Sequence, residues 1–556
     1  MSSMVGIYGI KDNLIGKYPN NTHDHNICIM DDGEIVKYLA LERYTRRKQD
    51  NRLDLFIEDL IESDLDIPKK FDIIFVNSFE GNAFNSKSGK IKFESSRLFP
   101  YPPTIVENCF CKLDNIKSYT RFEPNSFLLS HELAHIFTNL PFHGEFLDNS
   151  LLIHFDGGAS VSNFSAFLYK NRKLHFIEAD WKFSQLSKLF YDNALVFAIL
   201  GENREMHQSV PGKLMGYAAF GTPSERLEKW LIKNSFFKDI WDNPSTFFRS
   251  VYDEFNIKLS NFDKKNPFLQ DIAATIQSYF ERVILDKLEQ LKKKYNPEYF
   301  YYSGGSALNI NLNTKIVESK LFKEVFIPPA PNDSGLSIGA AAFLEWKKGK
   351  KIKPHLPYLN NVGLKYEKLT FEDSLIIQVA HLLLSNKIIG ICNGFGEAGP
   401  RALGNRSIIA LPSSPELTKK VSMECKGREW YRPIAPIMLK SVADKVIDGE
   451  TYHKLSKYML LNYTISKKYL DYLRGVIHID GTSRIQTLAN RDENPFMFDL
   501  LSYLYRKHNI YGLINTSFNY RGEPIVHTPE DALESAKKMN IDAIVINYKL
   551  INLEGI

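Results

Sequence analysis

The chain has 556 residues, 44% hydrophobic and 24% charged, which is too long for one ordinary core and has the balance of a globular protein of two or more domains. Its 70 Lys and Arg against 65 Asp and Glu leave a formal charge of +5; this permits anionic substrates but is neither a nucleic-acid nor a membrane signature. No apolar run reaches the length of a membrane span, the stretch MSSMVGIYGIKDN lacks the order of a signal peptide, and the sparse cysteines Cys28, Cys109, Cys111, Cys392 and Cys425 form no disulfide framework, so a reducing cytoplasm is expected.

In chain order, MVGIYGI (4–10) predicts a strand and NICIMDDGEIVKYLAL (26–41) a hairpin turning at Asp31-Asp32-Gly33. FDIIFVN (71–77) and LLIHFDGG (151–158) are short apolar strands, the second ending in a glycine pair. Cys109-Phe110-Cys111 places two thiols on one strand face, with no second cysteine pair to complete a soft-metal site. SFLLSHELAHIFTNL (126–140) carries helical periodicity that Pro141 would close. A long amphipathic helix is expected over about 271–295, then the strand YFYYSGG (299–305) and a further helix. The cationic EWKKGKKIKPHLPY (345–358) has two prolines and no hydrophobic period, and reads as a linker. FEDSLIIQVAHLLLSNK (371–387) would then be the helix that opens a second domain. Strands and helices alternate throughout, so the fold class is α/β, divided near residue 360.

His131-Glu132-Leu133-Ala134-His135 has the H-E-x-x-H spacing of a zinc peptidase. Four residues apart on a helix, the two imidazoles share a face and suit one metal ion. The extended peptidase form requires Gly at 138 and His at 141, where this chain has Thr138 and Pro141. That counts against a peptidase. Asp156-Gly157-Gly158 ends a strand as a phosphate-approach loop would, because glycines let backbone N–H groups come close to anionic oxygens. Ser303-Gly304-Gly305-Ser306 does the same before a helix, whose N-terminus adds its dipole. Either glycine pair alone is equally a plain tight turn. Asp333, in the turn of FIPPAPNDSGLSIGAAAF (326–343), offers a distant third ligand for the histidine pair. Together these features describe a nucleotide site with a metal at its mouth.

The strings HDHNICIMDDGEIV, ERYTRRKQD, HELAHIF, GKLMGYAAFG, SGGSALNINLNTKI, PPAPNDSGLSIGAA, GEAGPRALGNRSI, REWYRPIAPIM, HIDGTSRIQT and NTSFNYRGEPIVHTPEDA occur in that order. In them the chain resembles, throughout its length, the NodU/CmcH-type O-carbamoyltransferases. The resemblance implies an actin-like (ASKHA) ATPase-type domain over 1–360, related to the threonylcarbamoyl-tRNA enzyme, and a YrdC-like domain over 361–556. It implies that the YrdC-like domain combines ATP and carbamoyl phosphate, with Mg²⁺, into carbamoyl-adenylate, releasing pyrophosphate and phosphate. The first domain would then pass the carbamoyl group to a substrate hydroxyl and leave AMP. His131, His135 and Asp333 would hold Fe²⁺, or Zn²⁺ or Mn²⁺, the motif being H-x-x-x-H with Glu132 incidental. His23, supported by Asp24, is the candidate for positioning the carbamoyl group or taking the acceptor's proton. Asp156, Gly157, Gly158, Gly304, Gly305 and Asn309 would bind nucleotide in the first domain.

The second domain must bring two polyanions together against their repulsion, which demands fixed cations, and arginine forks grip phosphate bidentately. Lys426, Arg428 and Arg432 in KGREWYRP, Arg484 in DGTSRIQT, and Ser517, Asn519 and Arg521 in NTSFNYRG match the family's substrate-pocket strings. Arg401, Asn405 and Arg406 in GPRALGNRS are expected to organise the domain interface.

The stretch 10–22 before His23, the pair His25-Asn26 after Asp24, and Ala398 depart from the family pattern. The first two bear on the acceptor, which stays open among a sugar, an antibiotic-like metabolite, a lipo-oligosaccharide and a hydroxymethylated nucleobase. Nucleic acid is expected only as such a modified base, no membrane partner is expected, and a homodimer is left open. A threonylcarbamoyl-type tRNA enzyme is disfavoured by the domain order, the GPRALGNRS string and the lack of a strongly basic run. The hydrogenase-maturation relatives would bring an acylphosphatase-like segment and paired C-x-x-C motifs, which are not found here. A non-catalytic nucleotide-binding regulator would have lost metal or phosphate residues, and these are all present.

Overall fold

The computed structural model describes residues 3–11, 22–67, 70–78, 83–94, 109–113, 125–159, 162–180, 182–365 and 370–553. Most of the inserted stretch 10–22, namely 12–21, lies outside the described residues.

Three large sheets organise the described residues, with two small two-stranded sheets beside them. The first has eight strands in the order Gly396–Glu397, Tyr358–Asn360, Glu34–Ala40, Asn26–Asp31, Ser3–Tyr8, Phe71–Val76, Asn125–Leu129 and Phe110–Lys112. The second has five: Lys173–Ala179, Phe164–Lys170, Ser150–Phe155, Tyr299–Ser303 and Glu324–Phe326. The third has seven, all drawn from 389–552. The first two share a core that the sequence does not advertise. In each, a hairpin strand pairs antiparallel with its neighbour, that neighbour pairs antiparallel with a central strand, and two further strands follow in parallel. One five-strand topology is thus used twice.

The central strands are buried along their whole length, as parallel pairing with both faces covered requires. One apolar cluster joins the first two sheets and continues into Tyr431, Ala435 and Leu455 from beyond residue 360, while a second fills the third sheet. No helix among the described residues is long and apolar enough to cross a membrane.

The predicted hairpin forms, turning at Asp32 and Gly33, both at positive φ. The long helix runs Pro267–Tyr295 and the helix after the linker Asp373–Leu384. The helix expected over 126–140 is a correction. Asn125–Leu129 is a strand, the helix covers only His131–Phe137, and Pro141 lies in the first turn of a further short helix, Leu140–His143. Ser130 makes the switch: its hydroxyl accepts from Leu133 N, so the chain leaves the sheet at a helix N-cap. The stretch 345–358 is also more than a linker. Glu345 accepts from Gly33 N, Lys353 N donates to Gly33 O, His355 N donates to Pro141 O, and the segment ends in the sheet strand Tyr358–Asn360.

ERYTRRKQD docks the third-sheet region onto the first sheet. Arg43 Nη2 donates to Gly399 O at 2.8 Å, and Arg46 donates to Ile525 O and Pro524 O at 2.8 and 3.2 Å. Arg406, fully buried, spends its guanidinium on the carbonyls of Asn393, Gly394, Asn405 and His527. It is a structural clamp.

Candidate functional site

The first site forms where strands of both sheets end. Leu129 leads to His131 and His135, Phe155 to Asp156, Ser303 to Gly304, and Asp333 sits just ahead of the helix Leu336–Lys347. Loops at the ends of parallel strands are where an α/β fold has room for ligands. The histidine helix and the helix after Asp333 touch backbone to backbone: a Cβ added at Gly339 would lie 1.8 Å from Ala134 O. Thr138 Oγ1 ties the same pair through Gly335 O at 2.9 Å. This close approach brings residues some 200 apart in sequence into one cluster.

In that cluster His135 Nε2 lies 3.0 Å from His131 Nε2, 3.2 Å from Asp156 Oδ2 and 3.4 Å from Asp333 Oδ1. His131 Nε2 is also 3.4 Å from Asp333 Oδ1. One atom from each of the four residues falls within 4.8 Å of every other. Corners of a tetrahedral site with bonds of about 2.0–2.1 Å are about 3.3 Å apart, so this donor set fits a divalent cation. Two imidazoles with two carboxylates suit Zn²⁺, Fe²⁺ or Mn²⁺ without choosing among them. Burial alone would lower the His135 imidazole, but Asp156 and Asp333 raise it to about 9. Burial alone would raise the Asp333 carboxyl, but His131 and His23 hold it well below the usual carboxylate range. His135 and Asp333 are thus held in their charged forms by their neighbours, and a cation that displaced the proton of His135 would inherit the same attraction.

Sequence reasoning placed Asp156 with the nucleotide and missed its place among the histidines. The fold also explains why it stays there: its carboxylate accepts from Gly157 N and, at 2.7 Å, from Gly305 N. The second glycine pair therefore points one amide at a carboxylate of the first. Gly304 has φ +97°, and a Cβ there would collide with Phe155 O at 2.2 Å, so only glycine serves. Gly157 O accepts from Tyr191 Oη and Asn163 Nδ2, whereas a Cβ added at Gly158 would meet nothing within 4 Å among the described residues. Asn309 caps the following helix through Leu312 N and exchanges amide hydrogen bonds with Gln277. Its side chain is thus committed within the fold.

His23 adjoins the cluster. Its Nδ1 is 3.1 Å from Asp24 Oδ2 and its Nε2 3.8 Å from Asp333 Oδ2. Burial disfavours its charged form, but Asp333 and Asp24 outweigh burial and raise it to about 9. Two neighbours went unread in the sequence. Tyr8 Oη donates to Asp333 Oδ2 at 2.8 Å. Asn26, one of the departures from the family pattern, donates to Asp24 O and Asp333 O at 2.6 and 2.9 Å and accepts from Ser337 N. His25 is wholly buried, and burial followed by the Lys11 charge pushes it down to about 3. Glu132 is not one of the four grouped residues, and its Oε1 accepts from Ser162 N at 3.1 Å.

The second site gathers arginines around the third sheet. Arg401, Arg428 and Arg484 have no carboxylate within ion-pair distance among the described residues, and Arg432 meets only Glu429, at 3.5 Å. Burial, then neighbouring guanidinium charge, pushes Arg401 down to about 10 and Arg428 and Arg484 well below the arginine range. Like charges gathered with little counter-charge are an arrangement that a bound anion would stabilise. Arg401 lies within the same group of charges, beside Arg432 and Arg484. Lys426 is used differently: its ammonium donates to Asn519 O at 2.8 Å and Oδ1 at 3.0 Å and to Ser517 O, so these three residues form one braced corner. Arg521 lies at the rim, 64% exposed.

The Carbamoyltransferase N-terminus family matches residues 15–342 and the Carbamoyltransferase C-terminus family residues 380–552. Over 77% of its length the chain is 28% identical to an uncharacterized protein of Methanocaldococcus jannaschii, covering 74% of that protein. Over 90% it is 26% identical to nodulation protein U of Sinorhizobium fredii, covering 93% of it. Over 61% it is 29% identical to nodulation protein NolO of Bradyrhizobium diazoefficiens, covering 65% of it. A crystal structure of full-length HypF with phosphate and nucleotide overlaps 34% of this chain and 22% of its own, at 18% identity and a TM-score of 0.24, and carries no weight in the assignment. With both halves of one enzyme family matched in order along it, the chain belongs to the carbamoyltransferase family and is a carbamoyltransferase.

Proposed function

We propose that this carbamoyltransferase works in two steps at two sites: it makes carbamoyl-adenylate from ATP and carbamoyl phosphate and then transfers the carbamoyl group to a hydroxyl. The observation that carries the reading is the set of arginines 401, 428, 432 and 484, poor in counter-charge and separate from the cluster of histidines and aspartates. Residues 1–360 are read as an actin-like domain, supported by the five-strand core used twice, and 361–556 as a YrdC-like domain.

In the arginine pocket, with Mg²⁺ on the nucleotide, water would release phosphate from carbamoyl phosphate. The resulting carbamate oxygen would attack the α-phosphorus of ATP, and pyrophosphate would leave. Arg428, Arg432 and Arg484 would grip phosphate oxygens, Arg521 would close the rim, and the Lys426 corner would hold Ser517 and Asn519 in place. At the other site the acceptor oxygen would attack the carbamoyl carbon, the bond to the AMP oxygen would break, and the acceptor's proton would pass to a neighbouring base. His131, His135, Asp156 and Asp333 would hold the divalent ion, which offsets charge on the adenylate phosphate. His23, oriented by Asp24, is the group placed to position the carbamoyl oxygen or take that proton. The acceptor is one of the four hydroxyl compounds the resemblance suggests. Cys28, Cys392 and Cys425 are free thiols and all five cysteines are buried, which supports a reducing, cytoplasmic setting.

The test needs no acceptor. Purified protein with ATP, Mg²⁺ and carbamoyl phosphate should release pyrophosphate only when carbamoyl phosphate is present, with carbamoyl-adenylate visible by mass spectrometry. ATP binding without such release would sink the activation step.

A further inference from the structure

Lys213, on the helix Val210–Ala218, has a side chain 4% exposed and an ammonium placed between two carboxylates, 2.6 Å from Glu202 and 2.9 Å from Glu429. Glu202 lies just before that helix in the chain, whereas Glu429 lies in KGREWYRP, between Arg428 and Arg432. One buried cation thus spans the two halves of the enzyme. It is outnumbered by its carboxylates, and Glu429 also reaches Arg432 at 3.5 Å and Arg521 at 4.0 Å. Ring contacts fix the docking: Tyr217 meets Tyr431 at 5.3 Å and Phe220 meets Trp430 at 4.9 Å. Burial would push the Glu429 carboxyl up, but the Lys213 hydrogen bond, with Arg432 behind it, holds it at about 2.

An ionised carboxylate beside an anion pocket can take the arginines meant for the substrate. Arg432 and Arg521 face that choice, since each lies within reach of Glu429. Whatever holds Glu429 towards the first half of the chain leaves those arginines to a phosphate. We propose that Lys213 is a positioning residue for the anion pocket: it retains Glu429 at 2.9 Å, so that this carboxylate reaches Arg432 and Arg521 only at 3.5 and 4.0 Å and competes weakly for them, and so makes the pocket depend on a helix of the other half. The proposal rests on reading the arginine cluster as a polyanion site.

The test is calorimetric titration of the full chain with pyrophosphate, for wild type, Lys213→Met, Glu429→Gln and the double variant. Lys213→Met should bind about tenfold more weakly, the scale of one charge-pair coupling. Glu429→Gln should bind at least as tightly as wild type, and the double variant should match Glu429→Gln, because Lys213 acts only through that carboxylate. Lys213→Met binding like wild type, or a double variant as weak as Lys213→Met, overturns the proposal. If Lys213→Met does not fold, Lys213→Met with Glu202→Gln takes its place, since it leaves one unpaired carboxylate fewer. Wild type that binds pyrophosphate but forms no carbamoyl-adenylate would sink the proposed function and leave the Lys213 comparison standing. Wild type with no affinity for pyrophosphate overturns both.

Discussion

Asp333 Oδ1 stands 3.4 Å from both His131 Nε2 and His135 Nε2, so the cluster is closed from the Asp333 side by one oxygen facing two imidazoles. Asp156 closes it from the other side, 3.2 Å from His135. Metal content of the purified protein separates the two aspartates' roles. Asp156→Asn should lower affinity for the ion by about 10–100-fold, as losing a close partner of a metal site does, and His131→Ala should abolish transfer with pyrophosphate release largely intact. Unchanged metal content in Asp156→Asn would return that residue to the glycine loops alone.

Arg428 costs the folded protein something, because burial and the Arg432 charge push its guanidinium well below the arginine range. Arg428→Met keeps most of the volume and removes one of the mutually repelling charges. Thermal unfolding should show a gain of about 1 kcal/mol, the scale on which buried charges are replaced by packed apolar groups, while adenylate formation falls by about 100-fold or more, as loss of a transition-state charge contact does. A variant both less stable and fully active would remove Arg428 from the pocket.

How much of this was legible depends on how far apart the partners lie. The histidine pair at 131 and 135 was plain because helix spacing alone puts two side chains on one face. Asp333 was offered as a distant third ligand from its turn before a small-residue helix, and the family strings pointed to the same residue. Asp156 was read as part of a phosphate loop because glycines after a strand let backbone N–H groups approach an anion; its place beside His135 depends on Gly305 N, which follows another strand. The strand Asn125–Leu129 was taken for helix because SFLLSHELAHIF satisfies the 3.6 period from its first residue. The Ser130 cap and the pairing with Phe71–Val76 and Phe110–Lys112 decide otherwise. The doubled five-strand core left no trace as a sequence repeat, since strand order is set by pairing that few particular residues dictate.

Glu132 gives the clearest contrast between pattern and structure. In a peptidase it would activate water, but here its Oε1 accepts from Ser162 N at 3.1 Å, in the turn that follows Asp156. Glu132→Gln keeps the shape and loses the charge of that hydrogen bond, which should lower stability by about 1–2 kcal/mol. Carbamoyl transfer at saturating substrate should stay within a fewfold of wild type. A loss as deep as that of His131→Ala, with folding intact, would put Glu132 back into the chemistry.

His527 makes stability depend on pH. It is 1% exposed; its Nε2–H donates to Val362 O at 2.8 Å, and its Nδ1 faces the Asn360 amide at 3.4 Å. Burial, then the charges of Arg406 and Arg43, pushes the imidazole down to about 4, the Val362 carbonyl opposing them only in part. Unfolded, the same histidine titrates near its ordinary value of about 6.5. Between those values the unfolded chain binds a proton that the folded chain refuses, so stability is full above pH ~6.5 and falls as the pH drops towards 4. At about 1.4 kcal/mol for each pH unit the loss reaches about 3 kcal/mol. His527→Gln retains a donor for Val362 O without the titration, so its urea midpoint should change less than that of wild type between pH 7 and 4. Parallel curves for the two proteins would show that His527 is not the group responsible.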